Sequence, residues 1–185
     1  MKRSNFLLRD IQQEDLAMIR KWRNSEHIRN NMYNDQIISW EEHLTWFNSL
    51  KNRPDSIYKL FVYAGNPIGV VSFTNIDNKN GICFWGFYIG SERAEKGSGS
   101  IMGFLGLEYA FEMMRIRKLC GEAFAFNQPS IDFHHKLGFN QEGLFIGHIL
   151  KNEVCENIIR FALFREKWLE IKDMLANKLF CKKLK

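Results

Sequence analysis

The sequence has little proline and no segment rich in glycine, serine and proline. Only three prolines interrupt its 185 residues, and neither a repeat nor a low-complexity tract divides residues 1–164. Flexible linkers between domains are usually built from such segments. We therefore predict one folded domain over residues 1–164, followed by a C-terminal helix and a basic tail over residues 165–185.

Paired cysteines and long apolar runs are also lacking. Cys83, Cys120, Cys155 and Cys181 are far apart and form no Cys-x-x-Cys pair, so neither a disulfide framework nor a zinc site is indicated. We expect no bound metal. No apolar stretch reaches the roughly 20 residues that a membrane span requires, and none follows the basic residues at the N-terminus. These absences predict a cytoplasmic protein without a membrane partner.

Net positive charge is small outside residues 165–185. The chain carries a formal charge of +5, but residues 165–185 hold 7 basic and 3 acidic side chains, so residues 1–164 have a charge of only +1. A nucleic-acid-binding face needs a continuous basic surface, and we therefore expect no nucleic-acid partner. A polyamine acceptor needs acidic walls, and the sequence contains no acidic cluster that would supply them.

Hydrophobic residues make up 45% of the chain, and their spacing changes between the strand and helix periods. Two polar turns between three apolar runs indicate an antiparallel meander. Elsewhere strands alternate with helices, which predicts an α/β fold: a central mixed, mostly antiparallel sheet with helices on both faces. The predicted strands cover residues 6–9, 58–64, 68–74, 82–89, 119–126, 139–150 and 154–163, and the predicted helices residues 13–23, 40–50, 98–114, 129–137 and 165–178.

A glycine-rich segment follows one of the apolar strands. The run from Ile82 to Ile89 leads through a polar loop into Lys96-Gly97-Ser98-Gly99-Ser100, at the start of a helix. Glycines let backbone N–H groups approach an anion, and the helix dipole favours negative charge at this end. The spacing fits neither a Walker loop nor a dinucleotide-binding fingerprint. We therefore predict a phosphate site at residues 96–100.

A second motif, Asn127-x-x-Ser130-x-x-Phe133-His134-His135-Lys136-Leu137-Gly138-Phe139, opens a short helix after a buried strand. Together with the glycine-rich segment it resembles the acetyl-CoA motifs of the GCN5-related N-acetyltransferase (GNAT) superfamily, over residues 6–163. The resemblance implies a single GNAT-like domain, acetyl-CoA as co-substrate, and direct transfer of the acetyl group to an amine. It also implies the cofactor-binding residues Phe87, Tyr88, Ile89, Lys96, Gly97, Ser98, Gly99, Ser100, Asn127 and Phe133.

Two positions depart from the superfamily pattern. Ala94 stands where the phosphate loop usually has arginine or glutamine, and His134 stands where a tyrosine usually protonates the departing thiolate. An imidazolium can donate a proton in the same way, and its ordinary pKa near 6.5 is close to the working pH. We therefore predict that His134 is the proton donor.

The N-terminal third, which selects the acceptor in this superfamily, resembles the N-acetyltransferases of pseudaminic acid biosynthesis. Those enzymes acetylate the 4-amine of a UDP-linked 4-amino-4,6-dideoxy sugar. The segments Trp22-Arg23-Asn24 and Met32-Tyr33 and the pair His43 and Trp46 carry the resemblance. It implies that Glu122 accepts the proton of the amine through water, and that the nucleotide-sugar substrate contacts Arg23, Met32, Tyr33, His43, Trp46 and Phe84.

Three other functions fit parts of the sequence. The opening Leu8-Arg9-Asp10-Ile11 also fits enzymes of the same superfamily that acetylate the N-termini of ribosomal proteins. Polyamine acetylation stays open despite the lack of acidic walls. The departures at Ala94 and His134 keep a non-catalytic acyl-CoA-binding module open. The predicted sheet edge near residues 154–163 is open to a second copy of the chain, as in a homodimer, or to the C-terminal helix.

Overall fold

The computed structural model describes residues 2–181, which form a seven-stranded sheet and six helices. The strands are β1 (Phe6–Asp10), β2 (Ile57–Tyr63), β3 (Asn66–Asp77), β4 (Ile82–Ile89), β5 (Lys118–Phe124), β6 (Asn140–Lys151) and β7 (Val154–Phe164). The helices are α1 (Leu16–Asn24), α2 (Glu26–Arg29), α3 (Trp40–Ser49), α4 (Ser98–Glu108), α5 (Gln128–Lys136) and α6 (Arg165–Phe180). The strand order is β1-β2-β3-β4-β5-β7-β6, and among these strands only β4 and β5 pair in parallel. The prediction of a mixed, mostly antiparallel sheet is confirmed.

Helices cover both faces of the sheet, because side chains alternate between the faces along each strand. On β2, Phe61 points into the main core with α4 and α6, whereas Leu60 and Val62 point into a second core beneath α1 and α3. Val71 and Val70 on β3 divide in the same way. The prediction of helices on both faces is therefore confirmed as well.

Local signals mark several helix boundaries. Ser39 Oγ accepts the Glu42 N–H at 3.2 Å, and the Glu42 carboxylate accepts the Ser39 N–H at 2.7 Å, the capping box that this Ser-x-x-Glu spacing predicts for α3. The helix expected over residues 98–114 is instead α4 followed by a π-helical turn, Tyr109–Met113. The sequence does not predict α2, because four residues are too few to show a helical period.

The edge of the sheet differs from the prediction. Strand β7 lies between β5 and β6, so residues 154–163 are paired on both sides and β6 is the outer strand. The physical reason is composition: β7 buries Ile158 and Phe161, whereas most of β6 is exposed, and the strand that carries the buried side chains takes the inner place.

The C-terminal helix packs on the domain that precedes it. Trp168 and Leu175 on α6 are buried in the main core. The basic residues of the predicted tail from residue 182 onward lie outside the described residues. Within residues 2–181, no helix is long and apolar enough to cross a membrane, and no group of three or more His, Cys, Asp and Glu side chains is arranged to hold a metal ion.

Candidate functional site

A cleft opens where β4 and β5 diverge. The parallel ladder between them ends, among the described residues, at the pair Phe84 and Cys120. Beyond this pair the two strands and the starts of α4 and α5 enclose a cleft of about 380 Å³, here called the cofactor cleft. Six of the residues predicted to bind the cofactor line it: Phe87, Tyr88, Ile89, Gly99, Asn127 and Phe133. The fold thus brings the two sequence motifs together around one opening.

The glycine-rich segment forms the start of α4 beside this cleft. Gly97, which precedes the helix, has a left-handed backbone with φ of +99°. Ser98 is buried, and its Oγ has no hydrogen-bond partner within residues 2–181. A Cβ at Gly99 would find a single heavy atom within 4 Å, Ile89 Cγ1 at 4.0 Å, so open space lies against this backbone. An unsatisfied hydroxyl, an open backbone and a helix N-terminus suit a phosphate group.

Two lysines add positive charge at the same helix start. Lys136 on α5 donates a hydrogen bond from Nζ to Ser100 Oγ at 3.1 Å. Lys96 is exposed immediately before Gly97. The predicted phosphate segment therefore surrounds the first turn of α4. Lys136 adds a charge that the sequence analysis did not predict, because the contact depends on how α5 packs against α4.

The second motif orients α5 across the cofactor cleft. Asn127 caps this helix, and its Oδ1 accepts the Ser130 N–H at 3.1 Å. Phe133 packs on Phe87 of β4, with ring centroids 4.7 Å apart. These contacts fix the helix relative to the strand on the opposite wall.

His134 is buried, with 1% of its surface exposed, and both of its ring nitrogens are paired. Nδ1 lies 2.8 Å from the carbonyl oxygen of Ser130, and Nε2 accepts the indole N–H of Trp85 at 3.2 Å. The pKa of His134 is lowered to about 4, chiefly by burial; the Ser130 carbonyl opposes this shift and the neighbouring His135 adds to it. Both ring nitrogens are thus occupied by contacts within the protein, and the donor role of His134 stays a prediction.

A second cleft of about 450 Å³, here called the acceptor cleft, adjoins the first. The two clefts have in common Met32 and three residues of β4, Gly86, Phe87 and Tyr88. An acceptor in the second cleft would therefore meet a thioester in the first along this strand. Four of the six predicted substrate contacts line the acceptor cleft: Arg23, Met32, His43 and Trp46.

Two side-chain nitrogen atoms of the acceptor cleft lack hydrogen-bond partners among residues 2–181. Arg23 donates from Nη2 to the carbonyl oxygen of Asn34 at 2.6 Å, but its Nη1 is shielded from solvent and unpaired among residues 2–181. His43 is buried and stacks on Trp46 at 5.0 Å, and its Nε2 has no partner in the same range. Burial lowers the pKa of both groups. The arginine N–H requires an acceptor such as a phosphate oxygen, and a neutral imidazole nitrogen can accept from a hydroxyl.

Glu122 is engaged through both carboxylate oxygens. Arg160, which faces it on β7, donates from Nε to Oε1 at 2.7 Å, and Nη2 contacts the same oxygen. The Tyr33 hydroxyl donates to Oε2 at 2.7 Å, and burial together with Glu122 raises the pKa of Tyr33. Glu122 lines the cofactor cleft, whereas Tyr33 lines neither cleft and reaches the site through Glu122.

Phe84 lies outside both clefts, although the resemblance implies a pocket position. It belongs to the β4–β5 ladder, and the guanidinium of Arg160 lies 4.5 Å from its ring centroid. Arg160 itself is a residue that the sequence reasoning missed. The available signal was Glu122, because a carboxylate in an apolar strand needs a partner, and Arg160 is the only basic residue in the predicted strand 154–163.

Lys151 holds the segment that carries Met32 and Tyr33. Its Nζ donates to the Met32 carbonyl oxygen at 3.1 Å and forms an ion pair with Asp35 at 2.8 Å. The side chain is 8% exposed. Lys151 stands at the end of β6, and no local pattern in the sequence indicates a contact with a residue so distant along the chain.

The sequence is similar to those of known acetyltransferases. Residues 5–140 match the family model of the acetyltransferase (GNAT) domain. Acetyltransferase PseH of Campylobacter jejuni (strain 81-176) is 28% identical over 159 residues, which are 84% of this chain and 97% of that protein. Spermidine N(1)-acetyltransferase of Escherichia coli K12 is 23% identical over 164 residues, which are 88% of this chain and 87% of that protein.

Solved structures share the fold. The crystal structure of spermidine N-acetyltransferase from Vibrio cholerae in complex with CoA and spermine matches with a TM-score of 0.85. The match covers 90% of this chain and 99% of that one, at 20% identity. At this identity the likeness establishes the fold, and the identity of the acceptor has to be argued from the chemistry of the acceptor cleft.

Proposed function

The chain belongs to the acetyltransferase (GNAT) family, and on this premise we propose that it acetylates the 4-amine of a UDP-linked 4-amino-4,6-dideoxy sugar, as in pseudaminic acid biosynthesis. Membership makes it an acetyl-CoA-dependent N-acetyltransferase. The observation that carries the choice of acceptor is Arg23, whose Nη1 is shielded from solvent and unpaired within residues 2–181. A half-buried guanidinium with an unpaired, shielded N–H group favours an anionic ligand, and the diphosphate of a nucleotide sugar supplies one.

The remaining walls of the acceptor cleft suit the other parts of such a substrate. Trp46 and Tyr58 pack edge to face at 5.0 Å and offer aromatic surface to a uracil ring. Met32 offers apolar surface to the methyl group of a deoxy sugar. His43 Nε2 is positioned to accept a hydrogen bond from a hydroxyl.

A polyamine is the second candidate, because spermidine acetyltransferases are among the relatives. A polycation needs carboxylates along its path. Of the residues that line the acceptor cleft, all of them described, Glu42 is the one carboxylate, and its side chain already accepts the Ser39 N–H. Arg23 in the same cleft repels a cation. The charges of the acceptor cleft thus favour the nucleotide sugar.

Residues of this chain suit the parts of acetyl-CoA, which supplies the acetyl group as a thioester. Residues 96–100 and Lys136 would hold its phosphates, and Asn127 the pantetheine arm. The backbone of residues 87–89 would bind the end of that arm and polarise the carbonyl, because an oriented N–H group stabilises a developing oxyanion.

The neutral amine would approach from the acceptor cleft at the residues that both clefts share. Most of the rate enhancement then comes from alignment of amine and carbonyl. Glu122 is the proposed acceptor for the amine proton, through a water molecule. Each carboxylate oxygen has two lone pairs, so the bonds from Tyr33 and Arg160 leave room for a further one on Oε2.

Acetyl transfer is proposed to be direct, without an acetylated cysteine. Burial raises the pKa of the Cys83 thiol to about 12, and the pKa of Cys120 is also raised by burial. A thiol is a poor nucleophile unless it forms a thiolate. Both cysteines therefore act as core side chains.

The test measures release of CoA thiol from acetyl-CoA by the purified protein with three acceptors: the UDP-linked 4-amino-4,6-dideoxy sugar, N-terminal peptides of ribosomal proteins, and spermidine. Release with the nucleotide sugar alone is the expected result. Release with spermidine or peptides alone would overturn the acceptor and keep the reaction. Binding of acetyl-CoA without release on any of the three would favour a binding-only module over this proposal.

Arg23→Ala tests directly whether the unpaired Nη1 of Arg23 binds the nucleotide sugar. We expect the KM for the nucleotide sugar to rise about 10- to 100-fold, because a charged hydrogen bond to phosphate is lost, with the KM for acetyl-CoA unchanged. Lys21→Ala on the same helix removes a positive charge from an exposed position and is the matched control. Equal effects of the two substitutions would contradict a contact between Arg23 and the nucleotide.

A further inference from the structure

The point at which β4 and β5 separate is occupied by a buried hydrogen bond. Phe84 and Cys120 form the last pair of the ladder, and Trp85 and Gly121 are the next residues along the two strands. There the indole N–H of Trp85 donates to His134 Nε2 at 3.2 Å. Trp85 is 5% exposed and His134 is 1% exposed, although both line the cofactor cleft, so little of either side chain is open to water.

The two partners of His134 fix the position of its proton. Indole N–H is a donor only, so Nε2 must be the acceptor. The carbonyl oxygen of Ser130 is an acceptor only, so the proton is on Nδ1, 2.8 Å from that oxygen. An imidazolium would carry a second N–H on Nε2. That N–H would face the indole N–H of Trp85, with little water available to accept either proton. The ring is therefore held neutral, with its one proton directed at the helix backbone.

Gly121 makes room for this hydrogen bond. A Cβ at position 121 would lie 2.5 Å from His134 Nε2 and 2.8 Å from Trp85 Nε1, so the bond passes directly over the glycine. Phe161 of β7 stacks on the imidazole at 4.6 Å with an interplanar angle of 7°. The aromatic rings around His134 carry no charge: Trp85, Phe87, Phe133, Phe139 and Phe161. The titratable neighbour is His135, on the same helix.

We propose that the hydrogen bond between Trp85 and His134, which passes over Gly121, sets the opening between β4 and β5. In this role His134 positions the cofactor cleft and does not donate a proton to the thiolate. The amine releases one proton and the thiolate takes one up. Water can carry this proton, so the reaction needs no acidic side chain as donor. The proposal rests on acetyl transfer and is independent of which amine is the acceptor.

The first test compares His134→Gln with His134→Phe. The amide oxygen of glutamine can accept the indole N–H but has no proton to transfer, whereas phenylalanine leaves Trp85 unpaired. We expect His134→Gln to keep the acetyl-CoA Kd and to keep kcat within about threefold, and His134→Phe to weaken acetyl-CoA binding about tenfold. His135→Gln, at an exposed position of α5, is the matched control. Normal acetyl-CoA binding by His134→Gln with a loss of about a hundredfold or more in kcat would overturn the proposal.

The second test requires neither a variant at position 134 nor an acceptor. Wild-type protein labelled with 15N-histidine is titrated from about pH 5 to pH 8 in the presence of acetyl-CoA. Of its five histidines, His134 is identified by replacing the other four one at a time. We expect a ring that stays neutral and protonated on Nδ1 throughout. A ring that titrates near pH 6.5, or that carries its proton on Nε2, would overturn the proposal even if the acceptor assignment is correct.

Discussion

A single methyl group at Gly121 should disrupt the junction between the two halves of the sheet. Gly121 is buried on β5, and an added Cβ would approach His134 Nε2 to 2.5 Å and Trp85 Nε1 to 2.8 Å. Real Cβ atoms do not come so close to other heavy atoms, so the two rings must move apart. Neither ring has free space, because Phe161 stacks on the imidazole and Phe139 stacks on the indole at 5.2 Å.

Two contributions set the magnitude for Gly121→Ala. Overpacking a filled core costs about 1–3 kcal/mol, and leaving the indole N–H unpaired costs about 1–3 kcal/mol more. For a chain of this length the melting temperature should fall by roughly 5–20 °C. Thermal unfolding without ligand measures this, and Gly143→Ala on β6, where an added Cβ meets no heavy atom within 4 Å, is the control. Equal melting temperatures for the two variants would refute the packing described here.

Three further outcomes are expected. Gly99→Val should abolish acetyl-CoA binding in calorimetry without lowering the melting temperature, because its side chain enters the open space beside Ile89. Lys151→Ala should raise the acceptor KM several-fold in steady-state assays and leave the acetyl-CoA KM unchanged, because the Met32 carbonyl and Asp35 lose their anchor. The pKa of His134 falls from 6.5 unfolded to about 4 folded, so its contribution to stability is complete above pH 6.5 and is lost as the pH falls toward 4. That contribution is about 3 kcal/mol, and urea unfolding across this range should show a weaker pH dependence for His134→Gln.

Local sequence patterns predict most of the fold. The apolar run 82–89 coincides with β4, because polar turns flank it on both sides and leave no other boundary. Ser39 and Glu42 mark the start of α3 by satisfying each other's backbone N–H. The cofactor cleft is predictable for the same reason, since each of its motifs is a strand end followed directly by a helix start.

The contacts of Glu122 are less predictable, because they join residues far apart along the chain. Glu122 meets Tyr33 from the segment before α3 and Arg160 from β7, and no periodicity indicates either contact. The place of β7 inside the sheet also decides that Arg160 faces Glu122. His134 pairs with Trp85, which is 49 residues away, and the motif alone gives no sign of that partner.

Strand β4 explains how one fold can serve different acceptors. Its alternation sends the Phe87 ring to the main core, where it packs on Phe133, and the Tyr88 ring to the second core beneath α1 and α3. The proposed cofactor and acceptor sites therefore share the same three residues, Gly86, Phe87 and Tyr88, which line both clefts. Arg23 lines the acceptor cleft and not the cofactor cleft, so a change at this position leaves the proposed phosphate site at the start of α4 untouched. A close match in fold to a spermidine acetyltransferase is consequently compatible with a different amine, and the proposed difference lies in the charge of the acceptor cleft, where Arg23 disfavours a polycation.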